Sequence, residues 1–292
     1  MSVALAAIAL AVASPALAAP CCSGSALMPA LITTDSNAQL SARASQSTIV
    51  GSSHADGSSV FNRDGNDESA TTFLMSGAYA LDPRWQLHAE VPVSRRYRGI
   101  DATKLAHWGA GDVSVGTAFE AIQELRYNLY KPRVWIFGDL TAPTGRSIQE
   151  SQSVLAADVH GRGAWGATLG ALALKTWKSV DAYAMAQHRR YLPRGGLTLG
   201  PATALEAGAG YNLGDYRFGA SLGPTWEGAV AATGGVSSTE AKLVWTAGFQ
   251  ASTVLQELWS LTLSYADQTL LGPTYNSPLS RSATLMATRR FE

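Results

Sequence analysis

The stretch FLMSGAYALDPRWQLHAEVPV, residues 73–93, decides the fold class. From Phe73 every second residue (Met75, Gly77, Tyr79, Leu81) is apolar or small. Asp82-Pro83 interrupts the run, and Trp85, Leu87, Ala89, Val91 and Val93 resume it with Gln86, His88 and Glu90 between them. A period of two on either side of a turn dipeptide is an antiparallel hairpin with one apolar and one polar face.

The same pattern recurs along the chain. It predicts twelve strands, over residues 38–48, 70–81, 84–96, 111–122, 133–142, 163–174, 180–191, 202–212, 216–224, 240–253, 259–266 and 280–291. Most are long enough for a tilted strand to cross a bilayer, which takes ~9–11 residues. Alternate connections are tight, at residues 82–83, 176–179, 213–215 and 255–258, with 123–132 somewhat longer. The others are long and polar: 49–69, 97–110, 143–162, 192–201, 227–239 and 267–279. An even strand number with short turns at one end and long loops at the other is the signature of a bacterial outer-membrane barrel. The expected fold is therefore all-β, a transmembrane antiparallel barrel with short periplasmic turns and long extracellular loops.

The alternation also assigns the two faces. Trp85, Val113, Val115, Phe119, Val134, Ile136, Leu205, Tyr211, Phe218, Leu222, Leu243, Trp245, Phe249, Trp259, Leu261, Leu263, Tyr265, Leu285 and Phe291 fall on one side and are expected to meet lipid. Gln86, His88, Glu90, Asp112, Glu120, Asp139, Glu206, Arg217, Lys242, Gln250 and Arg290 fall on the other and are expected to line a wet lumen with few aromatics. Reversing the assignment would put Arg or Lys into hydrocarbon at ~2–4 kcal/mol each near the midplane. Five of the lumen residues are acidic and three are basic, so weak cation preference is expected of an open pore.

Composition excludes other classes. Basic and acidic side chains balance at 22 each, and no basic cluster stands beside interleaved aromatics, so nothing points to nucleic acid. After the N-terminus no apolar run approaches the ~20 residues of a membrane helix. Residues 3–13 form a continuous apolar stretch, and Ala16-Leu17-Ala18 offers a small-residue cleavage site, so residues 1–19 read as an export signal. Residues 20–37 then form a periplasmic N-terminal segment that could tuck into the barrel as a plug, and residues 38–292 form the barrel. Cys21 and Cys22 are the only cysteines. Pro20 before Cys21 argues against lipidation, and adjacent cysteines bridge each other only with strain.

Three stretches carry a family resemblance. Gly109-Ala110-Gly111-Asp112-Val113-Ser114-Val115-Gly116, Leu140-Thr141-Ala142-Pro143-Thr144-Gly145-Arg146-Ser147 and Gly161-Arg162-Gly163-Ala164-Trp165 resemble the MetA-like outer-membrane barrels, the phenol-degradation or transporter group distantly similar to FadL-type channels. The resemblance runs from about Ser69 to Phe291 and includes Gly208-Ala209-Gly210-Tyr211. It implies passive passage of small, often apolar molecules. Phe291 resembles the C-terminal aromatic through which such barrels engage the assembly machinery, although Glu292 follows it.

Catalytic and metal patterns are weak. His54, His107 and His160 lie in or beside outer loops near Asp56, Asp101 and Asp158, but polar neighbours are what solvated loops contain, and no His-Ser lipase pattern occurs. Asp64-Gly65-Asn66-Asp67-Glu68 lacks the spacing of a calcium loop. No enzyme activity, cofactor or metal is expected. The sequence reads as a Gram-negative outer-membrane channel for an unknown small molecule, embedded in outer-membrane lipid. The alternatives are a structural or surface-interaction barrel with a plugged lumen and, with less support, an outer-membrane hydrolase.

Overall fold

Alternating side chains can satisfy both oil and water only if the sheet has no free edge. The computed structural model, which describes residues 28–34, 36–62, 66–194, 196–232, 238–256 and 258–292, meets that condition. Its barrel strands are β1 (Ala38–Ser53), β2 (Asn66–Ala80), β3 (Trp85–Ile100), β4 (Val113–Ile122), β5 (Arg133–Ala142), β6 (Gly166–Thr176), β7 (Val180–Tyr191), β8 (Ala202–Leu213), β9 (Tyr216–Glu227), β10 (Lys242–Leu255), β11 (Trp259–Asp267) and β12 (Pro278–Phe291). Each is antiparallel to the next, and β12 returns to β1 with Ala38 opposite Phe291 and Ser52 opposite Pro278. The closed twelve-strand barrel is as expected. The signal stretch and the Cys21-Cys22 pair lie outside the described residues, as does part of the acidic stretch at Asp64.

The strands differ from expectation mainly at the extracellular end, where several run further. The stretch expected as loop 97–110 is a hairpin: Thr103–Ala110 pairs with Val93–Ile100 and the chain turns at Asp101, whose φ is 51°. Likewise Ser59–Phe61 pairs with the end of β1. In these extensions the strict alternation breaks down, with apolar side chains such as Val60, Phe61 and Trp108 among charged and polar ones, while backbone pairing continues. At the periplasmic end the turns follow their sequences. Asp82 Oδ1 accepts the N–H groups of Arg84 (2.7 Å) and Trp85 (2.8 Å), closing the β2–β3 turn.

The outward face is an exposed apolar belt. Leu87, Val115, Ile136, Leu205, Leu222, Phe249, Leu263 and Leu285 all stand open. So continuous a belt would aggregate in water and matches a bilayer. Aromatics gather at its periplasmic rim. Trp85 and Phe119 pack at 4.8 Å, and the Arg289 guanidinium lies over both Trp259 and Phe291. Leu243 and Trp245, expected to meet lipid, are only half-exposed. The Leu243 backbone instead pairs with Tyr275 of the β11–β12 loop (3.1 and 2.8 Å).

The hydrophobic core lies inside the barrel. Met28 and Leu31 of the N-terminal segment pack with Ala118, Trp135, Phe137, Leu172, Leu174, Tyr183 and Met185.

Candidate functional site

The interior is occupied from both ends. At the periplasmic end residues 28–34 run between the strands and are gripped by three of them. Gln86 of β3 accepts the Ile32 N–H (2.7 Å) and donates to the Ile32 carbonyl (3.4 Å). Gln39 of β1 donates to the Leu31 carbonyl (3.0 Å), and Arg133 of β5 to the Thr33 carbonyl (2.9 Å). Glu90 is hydrogen-bonded to the Ala30 backbone and stands beside Arg43. A segment with no strand partner thus has its amides satisfied by side chains projecting inward. A cavity of about 470 Å³ remains beside it, lined by Ile32, Gln86, Glu120, Arg133 and Trp135 together with the β2–β3 turn and with Gln123, Glu124 and Leu125.

At the extracellular end the β5–β6 loop, residues 143–162, folds across the mouth. Its root is fixed by Asp112, which accepts the N–H groups of Gly145 (3.0 Å) and Arg162 (2.6 Å). On one side His160 Nδ1 hydrogen-bonds Ser94 (2.8 Å) and Arg98 donates to the Leu155 carbonyl (2.9 Å). On the other, Arg162 pairs with Glu227 of β9 and lies over the Tyr191 ring of β7. Ala157, Asp158, Val159 and Ala164 are buried.

Burial opposes ionisation of Asp158. Bonds from the Ser151 hydroxyl, the Gln152 N–H and Arg146 outweigh it and hold the carboxyl well below the usual range. Burial, reinforced by nearby Arg96, lowers the His160 pKa, so the ring stays neutral in its seat.

Around and below the N-terminal filling, inward polar side chains pair across the strand that separates them. His88 of β3 and Asp139 of β5 bond over Gly116 of β4, directly opposite both. Asp181 of β7 and Arg217 of β9 form a bidentate pair (2.7 and 2.6 Å) over Gly210 of β8. A Cβ at Gly116 would strike the His88 and Asp139 side chains, and one at Gly210 the Arg217 guanidinium. Glycine is therefore what lets two polar side chains meet across a third strand.

Every residue expected in the lumen has a definite place. Gln86 grips the segment, and His88, Asp139 and Arg217 are paired as above. Glu120 bonds Arg133 bidentately (2.7 and 3.1 Å), Glu206 accepts from the Tyr183 hydroxyl, and Asp112 anchors the loop rather than standing in a strand. Lys242 lies in register with Glu227 and Gln250 with Ser264, both half-buried, while Arg290 is buried opposite Gln39. The expectation of few inward aromatics is corrected. Trp135, Phe137 and Tyr183 all face in, the first two from a strand (Val134-Trp135-Ile136-Phe137) that is apolar on both faces. Sequence reasoning also missed Gln39, Ser94, Arg133 and Asp181, and it placed His160 in an outer loop without its seat against Ser94. His160 and Asp181 stood next to polar or ambiguous neighbours that gave no facing signal.

Among solved structures, the fold is similar to an outer membrane channel of Pseudomonas putida F1, with TM-score 0.71 and 16% identity over 90% of this chain and 97% of that one. It is also similar to the transport unit of the autotransporter AIDA-I from Escherichia coli, with TM-score 0.51 and 9% identity over 91% and 93% of the two chains. The Ralstonia pickettii toluene transporter TbuX follows at TM-score 0.43 and 10% identity over 89% and 90%. No family model matches the sequence, and no curated protein does. At these identities the likeness is one of fold.

Proposed function

We propose that the protein is a passive outer-membrane channel for small molecules, closed at rest by residues 28–34 at the periplasmic end and by the 143–162 loop at the other. The observation that carries this reading is the way the interior is filled. Two segments held by side-chain contacts rather than strand pairing occupy it, and such contacts exchange more readily than strand pairing. An apolar cargo fits best, because moving Met28 and Leu31 would uncover Trp135, Phe137, Leu172, Tyr183 and Met185. The inward charges are largely paired and serve the wall, leaving little to hold an ion. The fold of the Pseudomonas putida channel supports the same reading. Membership of the MetA-like group is part of the proposal. So are export through residues 1–19 and assembly through β12 ending at Phe291.

The paired charges also favour a second reading, a plugged structural barrel. Liposome swelling with small aromatic solutes separates the two. The channel reading expects uptake by the refolded protein that rises when residues 20–34 are deleted. Impermeability of both forms would leave the structural barrel.

A further inference from the structure

The β4–β5 connection is out of proportion to its neighbours. The other connections on the periplasmic side hold two to four residues, whereas residues 123–132 number ten. The chain does not hang free there. Gln123, Glu124 and Leu125 border the periplasmic cavity, and the rest of the turn lies against the next hairpin. Lys175 continues the outward set of β6 (Ala167, Leu169, Ala171) and is opposite Ala182, yet it is buried, because Glu124 pairs with it and the Tyr127 ring stacks on its ammonium at 4.8 Å. Trp177, two residues on, donates its indole N–H to the Leu129 carbonyl (3.1 Å).

The outer surface of this turn has two kinds of side chain. Tyr127, Leu129 and Tyr130 are exposed, Tyr130 by more than four-fifths, and they follow Ile122, the last outward residue of β4, whereas Leu125 borders the periplasmic cavity. Arg126, Lys131 and Lys178 are exposed among them and belong to none of the ion pairs of this end. The turn's one acidic side chain, Glu124, is already taken by Lys175. The result is an aromatic and cationic surface at the level where the belt meets periplasmic water. The β8–β9 turn elsewhere on the rim carries Asp215 instead.

We propose that this turn, with Trp177 and Lys178, is a binding surface for anionic phospholipid headgroups of the inner leaflet. Tyrosine and tryptophan settle at headgroup depth with the ring in the apolar layer and the polar atom in water. Three uncompensated cations beside them attract anionic lipid over zwitterionic lipid. Only the lipid side of this rim is involved, and lipid association is read without regard to what crosses the lumen.

The test is the association of spin-labelled lipids with the folded full-length protein in phosphatidylcholine bilayers. Labelled phosphatidylglycerol is expected to be enriched at the protein by roughly two- to three-fold over labelled phosphatidylcholine at low salt, and less at high salt. The triple variant Arg126→Gln/Lys131→Gln/Lys178→Gln should bring the ratio to about one with heat-modifiable gel mobility unchanged. Equal association of both lipids with the wild type, or an enrichment that survives the triple substitution, would overturn the proposal. So would sedimentation showing that copies associate through this face and part in Tyr127→Ser/Tyr130→Ser.

Discussion

Gln86 holds both polar atoms of the Ile32 backbone, its amide oxygen taking the N–H and its amide nitrogen reaching the carbonyl. One side chain thereby imitates a neighbouring strand for a segment that has none. Gln86→Leu removes both bonds, at about 1 kcal/mol each, and should weaken docking of residues 28–34 by roughly thirty-fold. Planar-bilayer recordings are expected to show more frequent or larger openings than wild type, with the barrel's melting unchanged. Recordings indistinguishable from wild type would mean that packing of Met28 and Leu31 holds the segment alone.

The Asp181–Arg217 pair has almost no exposure on either side chain. Asp181→Asn should destabilise the barrel by about 3–5 kcal/mol, because a desolvated guanidinium loses its counter-charge. Asp181→Leu/Arg217→Met should recover most of that loss. A double variant as unstable as the single one in urea unfolding would show that the pair stabilises beyond its own mutual compensation.

Depth in the belt should grade the cost of a new charge. Leu263 is exposed in the middle of β11, whereas Leu243 is near the extracellular end of β10 with its backbone bridged to Tyr275. Leu263→Arg is expected to cost ~2–4 kcal/mol and Leu243→Arg ~0–1. Equal effects in a vesicle folding assay would contradict this placement of the bilayer.

Acid should loosen the loop over the mouth. His160 is seated against Ser94 and faces Arg96, Arg146, His107 and Asp158. Its pKa is lower when seated than free, so protons bind the unseated form better. The seat's contribution is full above the free value and is lost as pH falls below it. Solvent screening at this half-buried ring keeps the effect modest. Proteolysis within residues 146–158 is expected to quicken between pH 7.5 and about 5, and His160→Gln should flatten that dependence. The same pH profile in the variant would exclude His160 as the cause.

Strand number, order and the outward face were legible because they depend on a local period. β5 and β7 even begin and end where the alternation does. The inward set was legible where a polar residue alternates with an apolar one, as at Gln86 and His88. It was not legible at Trp135 and Phe137, where both faces are apolar and only Met28 and Leu31, a hundred residues earlier, account for the choice. The bond from His160 to Ser94 spans 66 residues and depends on the loop turning inward, which no local pattern encodes.

The pairs that bridge an intervening strand constrain how the wall is put together. Asp181 and Arg217 are 36 residues apart and His88 and Asp139 are 51 apart, and each pair closes only when the strand between them is present and in register with its glycine beneath the bond. A strand inserted one residue out of step would place a Cβ where the paired side chains must meet and leave buried polar groups without partners. Such pairs therefore favour the native register over one slipped by a single residue.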